Sequence, residues 1–88
     1  PLELQNLLYS LRIKALALKA GVESISREDD QLVLKSEALE TMDRTQLQQR
    51  LGRDARVARR QVWMPFTGDP RWQERLERVL ERWGRVVR

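Results

Sequence analysis

Apolar residues recur at helical spacing over the first twenty positions of the chain. The main stripe consists of Leu4, Leu8, Leu11, Ala15 and Leu18. Three more apolar residues widen it beyond the usual third of a helix surface: Leu7, Ile13 and Leu16. Pro1 suits the first turn of this helix, and Gly21 suits its C-terminal end. The width of the stripe predicts a central helix that is covered on more than one side.

The pattern then changes to alternation. Apolar and polar side chains alternate on both sides of the polar tract Arg27 to Asp30, which predicts a β-hairpin. The three adjacent acids of this tract lack the ligand spacing and the turn glycine of a divalent-cation loop, so a solvated turn is favoured. Asp43 and Gln46 form a capping box, which predicts a short helix that ends at Gly52.

A further strand is predicted where Val62, Met64 and Phe66 share one face and Trp63 lies on the other. Pro65 indicates that this strand lies at a sheet edge or ends there.

Asp69 as N-cap and Pro70 as first residue predict the start of the last helix. Its apolar stripe comprises Trp72, Leu76, Val79, Trp83 and Val86. These elements together predict one α+β domain over residues 1–88. Its order is a long first helix, a β-hairpin, a short helix, one or two further strands and an amphipathic last helix, and the helices cover one side of a small sheet.

Composition narrows the chemistry that this domain can perform. The 88 residues include no Cys and no His, which excludes disulfides and a typical zinc site and removes the usual general base. The motifs GxSxG, GxGxxG and GxxxxGK[ST] are also missing, so no cofactor and no catalytic activity are predicted. The absence of Cys fits a cytoplasmic compartment, and the lack of a long uncharged apolar run predicts no membrane segment.

Charge is distributed unevenly along the chain. Residues 1–43 carry five basic and eight acidic side chains, whereas residues 44–88 carry twelve basic and five acidic ones. The two parts therefore differ in net charge, −3 against +7. Such polarity favours an acidic partner for the second part, either a phosphate backbone or a protein.

The last helix presents its arginines on one side. They are spaced by three or four residues: Arg71, Arg75, Arg78, Arg82 and Arg85. A second basic run precedes the last strand: Arg53, Arg56, Arg59 and Arg60. Three interpretations remain open, namely a solvated helix face, a protein-docking face and a nucleic-acid contact. The candidate contact residues are Arg71, Arg75, Arg78 and Arg82, with Arg60 and Trp63 in second place.

Several segments resemble the C-terminal domain of the bacterial transcription-repair coupling factor (Mfd) family. The resemblance covers the whole chain and is sharp over residues 1–34, where it is carried by residues 1–4, 6–8, 11–14, 17–25 and 32–34; the Arg-rich last helix resembles the closing helix of the family. The matching residues are helix-packing and strand positions, and the likeness is loosest from Arg53 onward.

This resemblance implies a role within a larger protein. Members of the family are ATP-dependent DNA translocases that displace stalled RNA polymerase and recruit the repair protein UvrA. The C-terminal domain would be a regulatory, autoinhibitory clasp that packs on the UvrB-like module of the same chain and masks the UvrA-binding surface. The alternative that follows from the residues is a small nucleic-acid-binding module that uses the arginines.

Overall fold

The computed structural model describes the backbone of residues 2–87 and the side chains of residues 7–87; the predicted role of Pro1 lies outside the described residues. It confirms an α+β domain. The helices are α1 (Leu2–Ala20), α2 (Arg44–Leu51) and α3 (Trp72–Val87). The strands are β1 (Ser24–Glu28), β2 (Gln31–Lys35), β3 (Arg56–Val57) and β4 (Gln61–Pro65). Two 3-10 turns, Glu37–Glu40 and Gly52–Asp54, flank α2.

The four strands form one antiparallel sheet in the order β1-β2-β4-β3. The predicted hairpin is confirmed: Glu28 pairs with Gln31, and Asp29 takes the left-handed conformation (φ 54°) in the tight turn between them. Strand β4 lies inside the sheet, between β2 and β3. Of the two alternatives predicted from Pro65, the second is confirmed, because β4 ends at Pro65 and does not lie at the edge of the sheet.

The helices cover one face of this sheet. On that face Leu32 and Leu34 of β2 and Val62 and Met64 of β4 join the same core cluster as α3. The contacts of α3 with both α1 and α2 place it as the middle helix of the layer. Its buried residues are Leu76, Val79, Leu80, Trp83 and Gly84. The clean amphipathic pattern of α3 thus predicted its buried side correctly.

Local hydrogen bonds fix the ends of the helices. Gly21 (φ 83°) ends α1, and the following Val22 N–H donates to the Ala17 carbonyl at 2.8 Å. Asp43 caps α2 as predicted, because its Oδ1 accepts from the Gln46 N–H at 3.1 Å. Helix α3 begins at Trp72, two residues later than the predicted Pro70, and Asp69 accepts instead from the Arg71 N–H at 2.9 Å.

Two polar side chains tie these elements together. Ser36, almost fully buried, donates from Oγ to the Gly21 carbonyl at 2.7 Å and so joins the end of α1 to the sheet. Gln48 of α2 donates to the Ala55 carbonyl at 2.9 Å and accepts from the Val57 N–H at 2.8 Å. The amide of Gln48 thereby holds the short strand β3 beside α2.

The orientation of α1 differs from the prediction. The side that packs into the domain consists of Tyr9, Ile13, Leu16, Ala17 and Ala20. Leu8, Leu11, Ala15 and Leu18 of the predicted stripe are all exposed, and the Leu4 side chain lies outside the described residues. Within the described chain α1 is covered on one side only, so the prediction of a central, enclosed helix is wrong. Because α1 is apolar on two opposite sides, periodicity alone did not identify the inner one.

Across residues 2–87, none of the helices combines the length and the apolar content that crossing a bilayer requires.

Candidate docking surfaces

Two arginines of the α3 stripe, Arg75 and Arg82, contact other segments of the domain. Arg75 lies between strand and helix: its Nη2 donates to the Pro65 carbonyl, and its Nε is 3.4 Å from Asp69 Oδ2. Arg82 Nη1 is 3.8 Å from Asp54 Oδ2, in the turn that follows α2. Both side chains are partly buried by these contacts. Arg75 is therefore structural in large part, whereas Arg82 makes a longer and more exposed ion pair within the domain. The spacing of the arginines in the sequence indicated neither contact.

The remaining arginines of the stripe face outward. Arg71, Arg78 and Arg85 are exposed, and no carboxylate among the described side chains lies within 4.0 Å of them. Their spacing of seven residues places them about 10 Å apart along one side of the helix. They form an open row of cations available to an acidic partner.

The other two candidate residues lie elsewhere. Arg60, in the loop between β3 and β4, donates from Nε to Glu40 Oε1. This hydrogen bond, with the charge of Arg60, holds the pKa of the Glu40 carboxyl below its usual value. Arg60 therefore contacts the 3-10 turn that precedes α2.

Trp63 lies on the face of the sheet opposite the helices, as the alternation of β4 predicted. It pairs with Val33 of β2 and with Arg56 of β3, and all three side chains point to this open face. Val33 is fully buried there and Trp63 is half-buried. The sheet therefore separates Trp63 from the arginine row of α3, and the six predicted contact residues do not form one surface.

The largest exposed apolar residues belong to α1, which no candidate list from the sequence contained. Leu7, Leu8, Leu11 and Leu18 are 57%, 58%, 54% and 83% exposed. Isolated exposed leucines are common on soluble proteins, but a row along one helix makes that side of the helix a candidate interaction surface. The sequence carries this signal as the double apolar pattern of α1, but the predicted central helix buries both apolar sides.

The opposite side of α1 is held against α3 by polar contacts. Arg12 lies 3.6 Å from Glu77 and 3.8 Å from Glu81. The Tyr9 hydroxyl donates to the Gln73 carbonyl at 3.0 Å. Burial, and secondarily the charge of Glu77, raises the pKa of Tyr9 to about 12. These contacts add to the packing of Ile13, Ala17 and Ala20 in the core, which buries the inner side of α1.

The acidic side chains of residues 7–87 do not assemble into a metal-binding cluster. Within that range no group of three or more acidic residues is arranged to hold a metal ion. The Asp29–Asp30 pair lies in the exposed hairpin turn.

Comparison of the chain with protein-family models, with curated proteins and with solved structures finds no match.

Proposed function

We propose that this chain is a non-catalytic regulatory docking domain of a transcription-coupled DNA repair translocase. In the resting parent protein it packs on the UvrB-like module and masks the surface that binds UvrA. The proposal places it in the cytoplasm, in a protein that acts with RNA polymerase, UvrA and DNA. Its family assignment rests on the resemblance of residues 1–34.

The structural observation that supports docking is the outward row of Arg71, Arg78 and Arg85. The neighbouring Arg75 and Arg82 have acidic partners within the domain, whereas these three have none among the described side chains. Exposed arginines without an acidic neighbour in the domain suit a protein contact that forms and releases. Charged residues at an interface affect the rate of association and the choice of partner more than the affinity.

The direct test is a titration of the UvrB-like module of the parent protein with the 88-residue chain. Replacing Arg71 and Arg78 by Glu weakens binding by about tenfold or more, since both favourable charges become repulsive. The matched control replaces Arg50 and Arg53, which are exposed on and after α2. This control leaves the affinity nearly unchanged. An equal loss of affinity in both double variants contradicts specific docking through Arg71 and Arg78.

The gene provides a second test. The reading frame upstream of the Pro1 codon encodes a helicase-type motor if the proposal is correct. A reading frame without such a motor contradicts it.

The alternative function is a small nucleic-acid-binding module. It is supported by the same outward arginines together with exposed Arg53, Arg56 and Arg59. A protein that contacts several phosphates loses affinity by orders of magnitude between about 50 and 200 mM salt. Steeply salt-dependent binding of duplex DNA, reduced in both double variants, favours this alternative over docking.

A further inference from the structure

The exposed side of α1 follows the heptad pattern of a coiled coil. Leu8, Leu11, Ala15 and Leu18 are separated by three, four and three residues and are all exposed. We call these four residues the outer seam. In heptad terms they alternate between the a and d positions, which form the contact line between two helices. The inner side of α1, packed on α3, lies on the other side of the helix.

Cations flank the outer seam on both sides. Lys14 takes the g position beside it, and Arg12 and Lys19 take the e positions. All three are exposed, and the described part of α1 from residue 7 to residue 20 contains no acidic side chain. Arg12 also contacts Glu77 and Glu81 of α3, so Lys14 and Lys19 are the flanking charges without an acid within 4.0 Å among the described side chains.

These charges disfavour a second copy of the same chain as the occupant. In a parallel pair, the g position of one helix meets the following e position of the other, which places Lys14 against the partner's Lys19. In an antiparallel pair, g meets g, which places Lys14 against a second Lys14. Both arrangements bring like charges together. A partner helix with Glu or Asp at its own e and g positions instead places opposite charges beside Lys14 and Lys19.

A groove beside the outer seam adds further apolar surface to this side of α1. It has a volume of about 440 Å³ and lies between α1 and β1. Leu18 and Lys14 form its rim, while Ile13, Ala17 and Val22 of the core line its base. Side chains of a partner helix on the seam can enter this groove and reach core residues.

We propose that the outer seam of α1 binds an amphipathic partner helix whose leucine-type seam is flanked by Glu or Asp. The two helices pair side by side in coiled-coil fashion, with acidic residues beside Lys14 and Lys19. The site is separate from the outward arginines of α3 and does not depend on the function proposed above.

The experiment uses the 88-residue chain and a fluorescent helical peptide as long as α1, with Leu at a and d and Glu at e and g. Fluorescence anisotropy measures the affinity. The first control peptide carries Lys at e and g, and the second has the same composition in scrambled order. We expect binding of the first peptide only, weakened by salt because the flanking charges are exposed.

Variants of the chain locate the binding site. The double variant Leu11→Ser and Leu18→Ser weakens binding of the acidic peptide by about tenfold or more, because each leucine loses its apolar contact. Lys14→Glu with Lys19→Glu reverses the preference toward the Lys-flanked peptide. Arg71→Glu with Arg78→Glu, the variant that tests the arginine row, leaves peptide affinity unchanged. All these residues are exposed, and circular dichroism confirms that each variant is folded.

Four results overturn the proposal. The first is failure of the folded wild-type chain to bind the acidic peptide. The second is equal affinity for the acidic and Lys-flanked peptides. The third is dimerisation in sedimentation analysis that Leu11→Ser with Leu18→Ser abolishes, which assigns the seam to a second copy. The fourth is binding to anionic phospholipid vesicles without binding to the peptide, which assigns it to a membrane surface.

Discussion

Helices α1 and α3 pack against each other, yet their sequences distribute apolar residues in different ways. Helix α3 has one apolar side, which is buried, and a charged remainder. Helix α1 is apolar on two sides: Tyr9, Ile13, Leu16, Ala17 and Ala20 lie inward, and most of its leucines lie outward. The difference indicates that the apolar side of α3 is fully used by its own domain, whereas the second apolar side of α1 stays exposed among the described residues.

The largest expected effect contrasts one leucine from each helix. Leu80 of α3 is fully buried, whereas Leu18 of α1 is 83% exposed. Leu80→Ala lowers the free energy of unfolding by about 2–5 kcal/mol, since it removes buried contacts and leaves a cavity. Leu18→Ala changes it by less than about 0.5 kcal/mol.

Urea denaturation of the two variants measures this contrast. A loss above roughly 1 kcal/mol for Leu18→Ala places that leucine in the core and removes the distinction between the helices.

The next effect concerns the hydrogen bond that joins α1 to the start of α3. Tyr9→Phe removes the hydroxyl that donates to the Gln73 carbonyl and lowers stability by about 0.5–1.5 kcal/mol. Thermal denaturation near neutral pH measures the loss. An unchanged stability contradicts a contribution of this hydrogen bond to the orientation of α1.

Tyr9 also gives the α1–α3 contact a pH dependence. Its pKa is about 12 in the folded protein, above the usual value of 10.0, because burial disfavours the phenolate. The unfolded chain therefore loses this proton at lower pH, so the stability contributed by Tyr9 is complete below pH 10 and is lost as pH rises through about 12.

Tyr9 is the only tyrosine, so the phenolate absorbance reports it directly. Comparison with Tyr9→Phe separates its contribution to alkaline unfolding from that of the lysines. Titration of the folded protein at the usual tyrosine pKa contradicts the burial of Tyr9 against α3.

The smallest effect is expected from the ion pairs between the two helices. Arg12 is 62% exposed and lies 3.6 Å from Glu77 and 3.8 Å from Glu81. Arg12→Ala lowers stability by about 0.2–1 kcal/mol, less at high salt. A double-mutant cycle with Glu77→Ala measures the pair. Coupling above this range indicates that Arg12 orients α1 more strongly than its exposure implies.

The two helices also explain how much of the fold the sequence predicts. Helix α3 has a single apolar stripe, and its buried Leu76, Val79 and Trp83 follow from periodicity. In α1 two apolar stripes compete, and the buried one is the stripe whose Ile13, Ala17 and Ala20 join the core beside α3. That choice is a tertiary effect, so local periodicity does not contain it.

The candidate contact residues show the same limit. Helical spacing correctly places the arginines on one side of α3. Their acidic neighbours, Asp54 and Asp69, come from other segments of the chain, and only the fold brings them to Arg82 and Arg75. Similarly, strand alternation places Trp63 on the face of β4 opposite Val62 and Met64. Only the fold shows that the helices cover the Val62 and Met64 face, so that the sheet lies between Trp63 and the arginines of α3.

Leucine-methyl NMR of the 88-residue chain, recorded with and without the acidic helical peptide, tests most directly the claim that the outer side of α1 is a docking surface. If this side docks the peptide, the methyl resonances of Leu8, Leu11 and Leu18 shift on binding, while those of the buried Leu76 and Leu80 keep their positions. Unchanged α1 methyl groups, or shifts confined to other parts of the domain, contradict it.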